Sequence, residues 1–271
     1  MSASQNVFIL QRSIVLPFKN AASTLAESLD SICKQTEPSF VAYLINDHSS
    51  DDSLSMAQNL ADNDSRFVVL QNDGHGIVDA LNTGLARCRD GIVFRMDADD
   101  RMHPQRLARQ TEHLQSVDIS SSTVEPFGSM TEGRRQYFEW QNQVRSINDI
   151  YASRYIECPA QHPTLAFRTS TIERLGGYRT GPFPEDYDLI LRALQCGLTM
   201  EKLAEPLLQY RCSESQLSYA DERYGRPAFH ELRKFHLQRD ASLLAILAGR
   251  PLVIWGASRM SRRRMEDHFA G

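Results

Sequence analysis

The chain has 271 residues, 41% of them hydrophobic, and no Pro/Ser/Gly-rich linker to divide it into modules, so one domain with at most a smaller appendage is expected. Lys plus Arg total 30 against 34 Asp plus Glu, a formal charge of -4 that offers no basic surface for nucleic acid. Five cysteines without a C-x-x-C pair make a poor disulfide framework and no apolar run reaches the roughly 18 residues that cross a bilayer, so a cytoplasmic chain without a transmembrane segment is expected, with peripheral work at the inner face of a membrane left open.

Four short apolar runs, residues 13–16 (stopped by Pro17), 41–45, 66–70 and 91–96, read as buried strands. Helical periods lie between them: Leu25, Leu29 and Ile32 after Thr24-x-x-Glu27, then Leu54, Ala57 and Leu60, then Ile77, Leu81, Leu85 and Cys88. Strand and helix repeated in this way predict right-handed crossovers in a mostly parallel sheet. A further helix is expected to start at Pro104, with Leu107, Gln110 and Leu114 on one stripe. Residues 120–135 are polar and read as irregular, 137–150 as an aromatic-rich helix, 164–168 as a short strand and 186–197 as a helix. Near the C-terminus, residues 251–259 predict another strand and turn, whose G-x-S is not a G-x-G-x-x-G phosphate loop. The organisation expected is a domain over 1–218, with a nucleotide-binding half (1–115) and an acceptor-binding half (116–218), followed by a helical extension over 219–271.

In an open α/β sheet a ligand sits beyond the carboxyl ends of the strands, and here those ends are polar. Asp97 and Asp99, in Asp97-Ala-Asp-Asp100, can address one point if the chain bends after the fourth strand, and crowded carboxylates call for a divalent cation such as Mg²⁺ or Mn²⁺. Asp47, after the second strand, suits a base N–H or a ribose hydroxyl, or else caps the next helix. Gly74 and Gly76 allow close backbone approach to a ligand, with Asn82 on the following helix beside them. Glu185 and Asp186, where a Pro-rich loop meets a helix, form a second acidic pair, either member of which could accept a proton from an attacking hydroxyl.

Together, Ile14-Val-Leu-Pro-Phe-Lys-Asn20, Ile45-Asn-Asp-His-Ser-Ser-Asp51, Asn82-Thr-Gly84, Asp97-Ala-Asp-Asp100 and Pro184-Glu-Asp-Tyr-Asp-Leu189 resemble glycosyltransferase family 2 over residues 13–218. The resemblance implies the GT-A fold: an α/β, Rossmann-like, mostly parallel sheet flanked by helices, with a mixed acceptor-side layer. It implies inverting transfer from a nucleotide-diphospho-sugar, a UDP-sugar in the first instance, to a saccharide or lipid-linked saccharide, assisted by Mn²⁺ or Mg²⁺. It places the base of the donor around Pro17, Phe18, Asn20 and Asp47, ribose and metal at Asp97 and Asp99, the catalytic base at Asp186 within the Glu185–Asp186 pair, and His162 near the acceptor. The chain departs from the family in two places. Asn46-Asp47-His48 keeps one acid and puts a side chain at a usual glycine, and Arg211 stands for diphosphate neutralisation where a histidine is common. Phe138, Trp140 and Tyr155 could stack on the faces of an acceptor sugar, with Trp140 the best single candidate. The competing readings are a sugar-nucleotide nucleotidyltransferase, for which an N-terminal Gly-rich, Arg-containing loop is missing, and a non-catalytic nucleotide-binding module.

Overall fold

The four apolar runs become β1 (Gln11–Phe18), β2 (Val41–Asn46), β3 (Phe67–Gln71) and β4 (Gly91–Arg95) in the computed structural model, which describes residues 10–213 and 221–248. These strands are parallel, in the order β3-β2-β1-β4, and are joined by α1 (Leu25–Cys33), α2 (Ser53–Asn63) and α3 (Ile77–Leu85). Helices cover both faces. Ile14, Leu16 and Phe18 share one core with Leu25, Leu29 and Ile32 of α1, whereas Val15 belongs to another with Val78 and Leu81 of α3. Two-sided burial is why the runs are continuously apolar instead of alternating.

The first strand passes through Pro17 instead of stopping there. Odd-numbered residues of β1 bond toward β4, where the Met96 N–H donates to the Val15 carbonyl at 3.0 Å, and β4 ends at Arg95. The amide that Pro17 lacks therefore has no ladder partner to lose. Winding reverses between β1 and β4, since β2 and β3 lie on one side of β1 and β4 on the other, and this opens a crevice at the carboxyl ends of β1, β2 and β4.

Beyond β4 the sheet becomes mixed and continues as β4-β7-β6-β8-β5. Its strands are β5 (Arg101–Met102), β6 (Ile119–Gly128), β7 (Ala166–Arg168) and β8 (Met200–Cys212). The helices of this half are α4 (Arg106–His113), α5 (Glu132–Gln143), α6 (Ile147–Ser153), α7 (Thr169–Leu175) and α8 (Glu185–Gln195), followed by α9 (Arg226–Leu237) and α10 (Ala241–Leu247). The segment expected to be irregular from residue 120 is the long strand β6. Most of its buried hydroxyls are bonded: Gln110 Nε2 donates to Ser120 Oγ at 3.2 Å, Ser121 and Thr164 hydroxyls lie 2.6 Å apart, and Thr123 Oγ1 donates to the Ala204 carbonyl at 2.9 Å, whereas the buried Ser122 hydroxyl has no partner among the described residues. Helix α4 starts at Arg106, later than expected, because the Pro104 carbonyl is held outside it by the Thr36 N–H at 2.8 Å. In the extension after 218, α9 buries Leu232 and Leu237 and sets His236 Nε2 3.0 Å from Asp188 Oδ1 of α8. The strand expected over 251–259 lies outside the described residues.

Gly84 shows how tightly α3 sits on the sheet. A Cβ there would meet Val15 Cγ1 at 2.7 Å and Ile45 Cδ1 at 2.8 Å. Gly84→Ala should therefore destabilise the fold by about 1–3 kcal/mol through overpacking. Equilibrium urea unfolding should show a lower midpoint with an unchanged slope.

Candidate active site

The turn after β4 is pinned from two sides. From α1, Ser28 Oγ donates to the Asp97 carbonyl at 2.9 Å and Thr24 Oγ1 to the Ala98 carbonyl at 3.1 Å. Thr24 is thus spent on this turn, and the capping box expected with Glu27 does not form. From β8, the Arg211 backbone N–H donates to Asp100 Oδ1 and its Nε to the Asp99 carbonyl, both at 2.7 Å, while its guanidinium pairs with Glu27. So fixed, Asp97, Asp99 and Asp100 each bring a carboxylate oxygen within 4.8 Å of the others. Asp100 is fully buried, and its Oδ2 has no hydrogen-bond partner among the described residues. Burial, then the charges of Asp97 and Asp99, push its pKa well above the usual carboxylate range. An orphaned oxygen and a set of mutually repelling oxygen donors fit a divalent cation of the Mg²⁺ or Mn²⁺ type.

Two cavities meet at Ile77, Asp97 and Asp99. The first, about 570 Å³, lies in the crevice at the switch point and is lined by Pro17, Phe18, Asn20 and Asp47, with Gly76, Arg211 and Arg223. Asp47 is buried and already engaged: Asn72 Nδ2 donates at 2.7 Å, the Gly76 N–H reaches both carboxylate oxygens at 3.0 and 3.1 Å, and Lys19 Nζ lies at 3.3 Å. Burial would raise its pKa, but these donors outweigh it and hold the group below its ordinary value. Gly76, at φ 85°, is the residue whose backbone must bend to make this bond. Asp47, His48 and His75 also bring ligand atoms together, yet the oxygens of Asp47 are occupied by its own donors. His48, where the resemblance leads one to expect glycine, has a left-handed backbone, φ 55°, its ring Nε2 donating to the Gly74 carbonyl at 2.9 Å.

The second cavity, about 440 Å³, runs from Asp97 and Asp99 to the Glu185–Asp186 pair. The two acids at the start of α8 differ sharply. Glu185 is buried, its Oε2 accepts the Tyr224 hydroxyl at 2.7 Å and its Oε1 lies 3.6 Å from His162 Nδ1. Asp186 is only half-buried and faces the cavity, with Oδ1 accepting the Tyr187 N–H at 2.7 Å. Burial, and then the adjacent Glu185 charge, push the Asp186 pKa up to about 7. His162 lines the same cavity with its Nε2 2.8 Å from the Tyr178 hydroxyl; burial first, then Arg95, hold its pKa well below the ordinary value, so the ring is neutral.

A model of the family described as glycosyl transferase family 2 matches residues 13–175, which span β1 to the end of α7. The chain belongs to glycosyltransferase family 2. Among its curated relatives are the amylovoran biosynthesis glycosyltransferase AmsE of Erwinia amylovora, 28% identical over 74% of this chain and 75% of that protein, and an Escherichia coli UDP-Gal:alpha-D-GlcNAc-diphosphoundecaprenol beta-1,3-galactosyltransferase, 31% identical over 72% and 71%. Two solved structures share the fold. TarS 1–349 of S. aureus in complex with UDP-GlcNAc superposes with a TM-score of 0.66 at 14% identity, covering 96% of this chain and 71% of that one. The mannosyltransferase PcManGT of Pyrobaculum calidifontis, in complex with GDP-Man and Mn2+, gives 0.60 at 17% identity, covering 97% and 81%. The chain is accordingly a glycosyltransferase with a GT-A-type fold, and no helix among the described residues is long and apolar enough to cross a membrane.

Not every family-2 expectation falls in the cavities. Asn82 spends both ends of its amide on the backbone of Tyr178, each at 3.0 Å, and so straps the loop before α8 to α3 instead of facing the donor crevice. Gly74 packs against Asp79 outside the crevice, and Gly76 takes the place beside it. Trp140 is partly buried against the core; on the same helix it is Tyr137 and Phe138 that line the second cavity. Three further lining residues carried no sequence expectation. Tyr224 and Arg223 lie in the extension, where no motif marked them, and Arg95 was signalled only as a charge ending an apolar strand. If the three aspartates hold a cation, Asp99→Ala should abolish the gain in nucleoside diphosphate affinity that Mn²⁺ gives, read by titration calorimetry. Melting should not fall, because removing one carboxylate relieves the repulsion.

Proposed function

We propose that this chain transfers a sugar from a UDP-sugar, with Mn²⁺ or Mg²⁺, to a hydroxyl of a saccharide or lipid-linked saccharide, inverting the anomeric centre, with Asp186 as the base. The observation that carries this reading is that Asp186 and the Asp97/Asp99 pair line one cavity, which joins the crevice at Asp97 and Asp99. The uridine donor is supported by the relative that uses UDP-Gal, and the lipid-linked acceptor by the same relative's undecaprenol substrate. An acceptor of that kind would be met by peripheral association from the cytoplasmic side, with the extension after residue 218 buttressing the acceptor half through Tyr224 and His236.

The cation, when held by Asp97, Asp99 and Asp100, supplies positive charge for the diphosphate that departs. The chain's own residues do the rest. Asp186 takes the proton of the attacking hydroxyl as its oxygen bonds to the anomeric carbon and the bond from that carbon to the diphosphate breaks. One displacement of this kind inverts configuration. Glu185 is committed to Tyr224 and His162, which leaves Asp186 the acid open to the acceptor. Arg223, which lines the first cavity, is paired with Asp221 of the same lining at 2.6 Å.

The reading is tested by incubating the protein with sugar nucleotides, Mn²⁺ and a panel of acceptors. Released nucleoside diphosphate with an inverted product supports it, whereas released pyrophosphate would mark a nucleotidyltransferase. Asp186→Asn should lower single-turnover transfer by roughly 10²- to 10⁴-fold with donor affinity little changed. A base must be ionised to act, so the wild-type rate should rise as pH climbs through about 7, the Asp186 pKa, and level off above it. The residual rate of the variant should lack that rise. Glu185→Gln should lose less turnover and more thermal stability; the reverse pattern would move the base to Glu185.

A further inference from the structure

Arg95 ends β4 after Ile92, Val93 and Phe94, in a strand where an apolar residue would satisfy the packing. Its guanidinium is instead buried, with 4% of the residue accessible. Nη1 meets the Asp97 carboxylate as an ion pair, and Nε has no acceptor among the described residues. The other acids nearby do not fill that need: Glu185 is spent on Tyr224 and faces His162, and Asp186 accepts its bond from the Tyr187 N–H. A buried guanidinium left incompletely bonded is costly, and natural sites seldom retain one without a ligand to complete it.

We propose that Arg95 is a specificity residue, whose guanidinium holds hydroxyl oxygens of the sugar being transferred. The inference rests on the transferase reading above and adds a residue to it. In an in-line displacement the departing and attacking oxygens lie on opposite sides of the anomeric carbon, so the sugar lies between the aspartates after β4 and Asp186. Arg95 lines the cavity spanning that gap, together with Asp97, Asp99 and Asp186, and does not line the crevice that holds Asp47. A guanidinium presents parallel N–H groups that suit two neighbouring oxygens, a pattern that a sugar ring offers and the ammonium of lysine does not match. Arg95 thus acts on the part of the donor that distinguishes a sugar nucleotide from the bare nucleotide.

The test is calorimetric and needs no acceptor. Wild type, Arg95→Lys and Arg95→Gln are titrated with UDP, UDP-glucose, UDP-galactose and UDP-GlcNAc in the presence of Mn²⁺, and the melting temperature of each protein is recorded. Sugar holding predicts unchanged UDP affinity in both variants, loss of preferred UDP-sugar affinity by roughly 10- to 100-fold, and a smaller difference between glucose and galactose. Equal losses for UDP and UDP-sugar would make Arg95 only a counter-charge for Asp97 and overturn the inference, as would no loss at all. Should Arg95→Gln fail to fold, Arg95→Lys, which keeps the charge, decides alone. A wild-type protein that binds none of these sugar nucleotides would instead overturn the UDP-sugar reading on which the inference stands.

Discussion

Three carboxylates held within a few ångströms of one another repel, and a strand end left to itself would splay to separate them. Here the turn that carries them cannot open. Thr24 and Ser28 hold its carbonyls from α1, and Arg211 holds Asp99 and Asp100 from β8. The cost of that confinement appears in Asp100, whose acidity is weakened by burial and by its two neighbours. Arg95, paired with Asp97, and the buried Arg106, which donates to the Arg95 carbonyl at 2.9 Å, offset part of it. The fold stores an unsatisfied demand for positive charge at one point, and the two cavities open where that demand is greatest.

The opposite wall solves a different problem, how to give two adjacent acids different characters. Their chain positions differ by one residue, yet at the start of a helix successive side chains diverge by about 100°. Both line the cavity, but Glu185 is buried and held by the Tyr224 hydroxyl beside a neutral His162, whereas the less buried Asp186 accepts the Tyr187 N–H. A buried neighbour of like charge then makes Asp186 a stronger proton acceptor than an exposed aspartate would be.

The first half was legible because β1 and β4 are apolar on both faces and β2 and β4 run into acids, so Ile14 to Leu16 and Phe94 to Asp97 carry strand and candidate site in a few letters. The second half hid its strands. In β6 the hydroxyls of Ser120, Ser121 and Thr123 replace apolar packing, and β8 contains Lys202, whose buried ammonium donates to the carbonyls of Gln141 and Pro159. Polarity satisfied by partners far along the chain looks, in sequence, like a loop. The same holds at the site. Asp97, Asp99 and Asp186 announce themselves as acids at element ends, whereas the burial of Arg95 and the return of Tyr224 to Glu185 depend on tertiary contact. Trp140 misled because aromatic character alone does not say which face of α5 meets the cavity.

The bond from the Arg211 side chain to the Asp99 carbonyl joins residues 112 positions apart, and its backbone bond to Asp100 spans 111. On a ribosome, the four parallel strands emerge and can pair long before β8 does. Until β8 arrives, the nascent chain carries all three aspartates on a turn anchored only by α1. Fixing of the aspartate turn thus depends on contacts of high sequence separation, which form slowly. Completion of the aspartate cluster is in this way tied to synthesis of the second half of the chain.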